Sequence, residues 1–405
     1  MTERATSLLT QRLLSDTSPL LTFFLQSRWA KKQGEPGICD FVVGNPHEPP
    51  IPAFGEALAR WSAPHDNAWY AYRLSEPASQ EIVAESLRTF LGIQFTADDV
   101  SMTNGAFAGL AASMRAVVDP GDEVIYNLPP WFFYETLIRG AGAEPAPVAV
   151  RGDDFDLDLD AIAAAMTPRT RGIIVNSPNN PTGRIYPEST LRALAEILTA
   201  ASDRNGRPIY LFSDEAYSRI VFDGRRFVSP VAFYPYSFLI YTYGKTLLTP
   251  GQRLGYVALP PDMPDRESLR GALLMAQVVS GYAFPNALLQ HALPDIEPLS
   301  IDIAHYERKR DRMVAALRSF GYELHSPEGT FYLLPKSPIP DDMAFADRLA
   351  ERDVYVLPGS LAEIPSYCRI SLTASDEMIE RALPVFADCI QEVAAAEPAT
   401  VAASD

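Results

Sequence analysis

The residue types able to do covalent chemistry gather around one lysine. Lys245 follows the apolar run Phe238–Tyr241, and Arg253 stands eight residues later between Gly251 and Gly255. An amine at the end of a buried strand is partly desolvated, which favours its neutral, nucleophilic form. An arginine among glycines offers a planar fork to an oxyanion such as a phosphate. Asp214, in Ser213-Asp214-Glu215-Ala216-Tyr217, follows the apolar run Ile209–Phe212. A carboxylate at a strand's C-terminal edge faces the crevice where α/β sheets hold ligands. Each feature also has a plain reading. The lysine alone is compatible with a solvated surface residue, and the aspartate with a cap on the next segment.

Three further features join these. Ser177-Pro178-Asn179-Asn180-Pro181-Thr182-Gly183 follows the apolar run Gly172–Asn176 and reads as a turn at a strand's end. Thr103-Asn104-Gly105-Ala106 opens a helical stretch to Val118. Free N–H groups at such a start attract phosphate. Arg369 lies inside the apolar run Cys368–Leu372, where a cation needs a partner: a carboxylate ligand or an internal salt bridge.

Elements must hold these groups in place. Strand-like runs at Glu123–Leu128, Gly172–Asn176, Ile209–Phe212, Phe238–Tyr241 and Tyr256–Leu259 alternate with helical stretches at Ala106–Val118, Glu188–Ser202 and Glu267–Ser280. The pattern predicts an α/β fold, a mostly parallel central sheet covered by helices. After about Pro285 the rhythm changes. A charged helix over Ile301–Phe320 leads to strands near Tyr322–Leu324 and Thr330–Leu334, a helix from Asp342, strands at Val354–Leu357 and Cys368–Leu372, and a helix from Asp376. This predicts a smaller α+β domain, joined by the N-terminal segment up to about Gly44. The expected division is 46–285 for the large domain and 1–45 plus 286–393 for the small one, with a flexible Ala-rich tail over 394–405.

Composition narrows the function classes. The chain has 405 residues, 47% hydrophobic and 21% charged, with a formal net charge of −17. That charge repels nucleic acid and anionic membranes, so neither is an expected partner. The three cysteines make no CxxC pair and the five histidines no HExxH array, so no metal site is expected. Free thiols and the lack of a long apolar N-terminal run predict a cytoplasmic protein.

Taken in order, these motifs resemble the class I aminotransferases of the pyridoxal 5′-phosphate (PLP)-dependent fold type I family. The resemblance spans about Phe41 to Leu383. It implies that Lys245 is the Schiff-base lysine and moves the proton between the substrate α-carbon and the cofactor. It implies that Asp214 pairs with the pyridinium nitrogen and that Tyr217 and Asn180 hydrogen-bond the ring O3′. Arg253, Thr242 and the N–H groups near Gly105 and Ala106 then form the phosphate cup. Trp131 is the ring stacked on the cofactor, a role compatible with plain core packing. Arg369 clamps the substrate α-carboxylate beside Asn180, and Val43-Gly44-Asn45-Pro46 is the loop that closes over the substrate. Tyr70, in preference to Tyr72, reaches the phosphate of a neighbouring subunit, which makes the expected assembly a homodimer with shared sites.

The expected reaction is ping-pong exchange of an amino group between an L-amino acid and a 2-oxo acid. A PLP-dependent lyase or cyclase acting on an α-amino acid uses the same cofactor site, and a non-catalytic PLP-binding sensor module is a reading of another class. The sequence departs from the family's habit at Gly244, where serine is common, and in the loop after Tyr72. It offers no second arginine assignable to a dicarboxylate side chain, so aspartate is not favoured over aromatic or aliphatic substrates.

Overall fold

The computed structural model describes residues 5–152 and 154–401. The apolar runs form a seven-stranded sheet in the order Val100–Thr103, Gly255–Ala258, Ser237–Thr242, Tyr210–Asp214, Thr170–Asn176, Glu123–Leu128, Glu144–Ala149. Neighbours are parallel, except that Gly255–Ala258 is antiparallel to both of its partners. Successive side chains point to opposite faces. Ile174, Phe212 and Ile240 therefore meet the helices Ala106–Val117 and Arg266–Val279, while Ile173, Val175 and Leu211 meet the helix Glu188–Asn205. Both faces are covered, which is why the runs are apolar throughout.

Small residues bring the Ala106–Val117 helix close to the sheet. A Cβ on Gly109 would fall 3.0 Å from Ile240 Cγ2 and 3.1 Å from Val257 Cγ2. The helix start is equally tight, since a Cβ on Gly255 would lie 2.8 Å from Gly105 Cα.

A second core gathers Cys39 and Phe41 with Met313, Leu317, Phe345, Val354, Ile370 and Phe386. Its β structure is one antiparallel set, Leu357–Pro358, Cys368–Ser371 and Tyr332–Leu333, and one parallel pair, Cys39–Asp40 with Val354–Tyr355. Trp29, Ile38 and Val42 pack with Tyr355 and Leu357. The first helix, Leu8–Asp16, turns instead towards the large sheet, where Arg12 pairs with Glu144 and Asp16 with Arg139.

The structure differs from the sequence pattern in several places. The strand expected at Tyr322–Leu324 is a single bridge from Leu324 to Pro335, because proline lacks the N–H that would extend the ladder. The run Val354–Leu357 is split, one end pairing with Cys39–Asp40 and the other with Cys368–Arg369. The strand Glu144–Ala149 was hidden by its two prolines, which a sheet edge tolerates. The final helix spans Asp376–Val401, so the predicted tail is helical backbone through Val401; 402–405 lie outside the described residues.

Candidate active site

Asn176, Asp214 and Thr242 are the last residues of adjacent parallel strands. The ladder sets Asn176 beside Asp214 and carries Thr242 two residues further along the next strand, so all three stand at one end of the sheet. Together with Ala106, Trp131, Asn180, Tyr217, Lys245 and Arg253 they line a single cavity. The predicted lysine, carboxylate, tyrosine and arginine thus meet, although they come from two stretches of chain, 214–217 and 245–253.

At the cavity floor Tyr134 Oη donates to Asp214 Oδ2 at 2.6 Å and the Ala216 N–H donates to Oδ1 at 3.2 Å. No cation lies within salt-bridge distance of Asp214 among the described residues. Burial raises this carboxyl above the ordinary aspartate range, opposed by those two hydrogen bonds and by the charge of Lys245. A cation set against it would hold it ionised. Asn176 fixes the neighbouring loop: its Nδ2 donates to Asp214 O at 2.9 Å and its Oδ1 accepts from Asn180 N at 2.7 Å.

The opposite wall has the features of an anion cradle. Gly105, at φ +82°, is the N-cap of the Ala106–Val117 helix, with no side-chain cap. A Cβ there would meet Arg253 Nη2, so only glycine lets the guanidinium come this close. Arg253 Nη1 donates to Pro250 O at 2.9 Å, and no carboxylate pairs with it among the described residues. Desolvation pushes its pKa down, a penalty that a bound anion would relieve. The departure at Gly244 has a steric reason, since a Cβ would fall 3.1 Å from Pro250 Cα.

Arg369 adjoins the cavity through Asn180. It is 2% exposed, with Nη1 donating to Asn180 Oδ1 at 3.2 Å and Nη2 to Val42 O at 2.8 Å. Its Nε is buried without a partner, and no carboxylate pairs with it among the described residues. The internal salt bridge left open by the sequence is therefore not found. Its guanidinium lies 4.4 Å from the Tyr332 ring centroid and 5.5 Å from that of Phe132. Gly44 is packed against Tyr332 and Phe331, where a Cβ would fall 2.6 Å from Tyr332 Oη and 2.9 Å from Phe331 Cε2.

Tyr217 Oη donates to Tyr332 Oη at 3.4 Å. Burial and the adjacent Tyr332 push Tyr217 well above the ordinary tyrosine value. Burial also pushes Tyr332 upward, but the charges of Lys245 and Arg369 outweigh it and bring that phenol down. Tyr217 thus keeps its proton and can donate it in hydrogen bonds.

Tyr70 does not reach this cavity. It is 60% exposed, and its hydroxyl donates to Ser62 O of its own chain. The sequence reading missed Tyr134, Asn176, Phe107 and Tyr332. Asn176 is legible as the polar end of an apolar strand, and Tyr134 belongs to the aromatic run Trp131–Tyr134, which reads as core.

The geometry has counterparts in known proteins. Residues 36–386 match the model of the family described as aminotransferase class I and II. A probable aspartate/prephenate aminotransferase of Thermus aquaticus is 33% identical over 80% of this chain and 84% of its own. An arginine–pyruvate transaminase of Pseudomonas aeruginosa is 30% identical over 95% of this chain and 98% of its own. A crystal structure of an amino transferase from Eubacterium rectale superposes with a TM-score of 0.85 at 29% identity, covering 97% of this chain and 99% of that one. Fold and site together define an aminotransferase of the PLP fold type I class. The chain belongs to the class I and II aminotransferase family, and its reaction is transamination between an amino acid and a 2-oxo acid.

Proposed function

We propose that this aminotransferase works on PLP held by Lys245, Asp214 and Arg253, and on an α-amino acid held by Arg369. One observation carries the reading: Asp214 and Arg369 are buried charges of opposite sign, each without an ionic partner among the described residues. Such charges are costly unless a ligand compensates them. A protonated pyridine nitrogen compensates the first and an α-carboxylate the second. The uncapped helix start beside Arg253 fits the cofactor's phosphate.

When bound, PLP supplies an electron sink for the bond broken at the substrate Cα. The protein's residues do the rest. Lys245 Nζ anchors the cofactor aldehyde and moves the proton at Cα. Asp214, oriented by Tyr134, keeps the ring nitrogen protonated. Tyr217 and Asn180 donate to the ring oxygen, Thr242 and the Gly105 and Ala106 N–H groups assist Arg253, and Trp131 covers the ring face. Gly44 brings the N-terminal loop against Tyr332, beside Arg369.

The same proposal includes two domains, 46–285 and 1–45 plus 286–393; the core around Phe41 and Phe386 draws mostly on the second and meets the first at 216–222, while 289–296 packs with the first. It also includes a cytoplasmic location, which suits three buried, unpaired cysteines. No helix among the described residues is long and apolar enough to cross a membrane.

The proposed assembly is a homodimer in which Tyr70 completes the partner's phosphate site. Tyr70, Tyr72, Met275, Val278, Val279 and Phe284 are all exposed, and Tyr72 packs on Phe284 with centroids 5.0 Å apart. Exposed apolar surface of this extent favours association. Mixing inactive Tyr70→Asp with inactive Lys245→Ala tests it. A shared site predicts recovered activity, because one site of a mixed dimer carries both defects and the other neither. A monomer, or no recovery after verified subunit exchange, refutes it.

A further inference from the structure

We infer that the substrate side chain is apolar and ring-sized, and does not carry a second carboxylate. This rests on the aminotransferase reading above and names the substrate class of that same site. An unbroken aromatic wall runs from the cavity to Arg369. Phe107 lines the cavity and meets Trp131 edge-on at 5.0 Å. Trp131 meets Phe133 at 5.4 Å and Phe132 at 6.1 Å, and Phe132 lies 5.5 Å from the Arg369 guanidinium. A substrate whose α-carboxylate sits on Arg369 and whose α-carbon sits at Lys245 has this wall beside it to receive the side chain. Phe107 is 40% exposed, an apolar face that a hydrophobic ligand would remove from water.

Charge points the same way. Lys245, Arg253 and Arg369 are each committed to the cofactor or the α-carboxylate. Arg139, which shares a hollow with Phe132, is tied to Asp16, Glu135 and Glu144. The hollow it shares with Phe132 is also lined by Asp16, Glu135 and Glu363. A distal carboxylate here would face carboxylates and an already neutralised arginine. An apolar ring would instead lie against aromatic side chains, which favour edge and offset contacts.

Single-turnover reactions of the cofactor-loaded enzyme with L-phenylalanine, L-leucine, L-aspartate and L-glutamate, each alone, give kcat/KM for one half-reaction. L-Phenylalanine should exceed both acidic amino acids by about tenfold or more, the usual scale of side-chain discrimination in an apolar pocket, and should exceed L-leucine as well; leucine in the lead overturns the ring-sized assignment. A smaller margin, or an acidic amino acid in the lead, overturns the inference. Calorimetry of non-reacting carboxylates separates it from the reaction itself. If 3-phenylpropionate binds about tenfold tighter than succinate while no amino acid reacts, the substrate class stands and the aminotransferase reading falls. Equal binding, or tighter succinate, overturns the substrate class alone. Phe107→Lys places a cation in the wall and should shift relative kcat/KM about tenfold towards aspartate; an unchanged ratio overturns the wall's role.

Discussion

The sheet end and the second core contribute to one site by different means. At the sheet, Asn176, Asp214 and Thr242 end neighbouring strands, and backbone hydrogen bonds fix their spacing. In the other half, Arg369 bonds to Val42 across 327 residues of chain, and packing around Tyr332 and Gly44 sets its position. The first half is a rigid array of opposed charges suited to a resident group. The second depends on how two cores meet, which suits a ligand that enters and leaves. Cofactor retention should therefore be governed by the sheet half and substrate fit by the other.

Substitutions can break this division. The largest effect is expected for Lys245→Ala, which should lose the bound-cofactor absorbance band and about four orders of magnitude in turnover, since nucleophile and proton carrier vanish together. Asp214→Asn should still bind PLP yet lose about a hundredfold in rate, or roughly 3 kcal/mol of barrier stabilisation. A rate within about threefold of the parent would make Asp214 merely structural. Across the divide, Arg369→Lys should leave the cofactor spectrum intact and raise KM about tenfold, with a smaller fall in kcat. Loss of the spectrum in that variant would erase the distinction between the halves.

The smallest effect contrasts two adjacent buried carboxyls. Glu215, bound by the hydroxyls of Ser213 and Ser229, does not line the active-site cavity, and burial raises its pKa to about 8. Between the ordinary glutamate range and pH 8 the folded protein holds this proton and the unfolded chain does not, so stability falls as pH rises through that window. Glu215→Gln should flatten the decline in Tm of the cofactor-free protein between pH 6 and pH 8 and leave the cofactor spectrum unchanged. An equally steep decline would assign the pH dependence to other groups.

The difference between the halves also explains what the sequence disclosed. Lys245, Asp214 and the Asn180 loop each follow an apolar strand within a few residues, so local pattern places them at the sheet's C-terminal edge. Arg369 was visible as a cation in an apolar strand, but its neighbours Val42, Phe132 and Tyr332 were not, because no local period links such distant segments. Tyr134 was hidden inside an aromatic run that reads as core. The strand Glu144–Ala149 was lost to its prolines, whose meaning depends on an edge position that only the tertiary fold supplies.

The central claim is that one amine, at the end of the Ser237–Thr242 strand, carries the cofactor. Borohydride reduction of the cofactor-loaded enzyme, followed by peptide mass mapping, tests it directly. A pyridoxyl phosphate mass is expected on the peptide containing Lys245 and on no other. A modified lysine elsewhere, or no covalent attachment in enzyme that still transaminates, would contradict it.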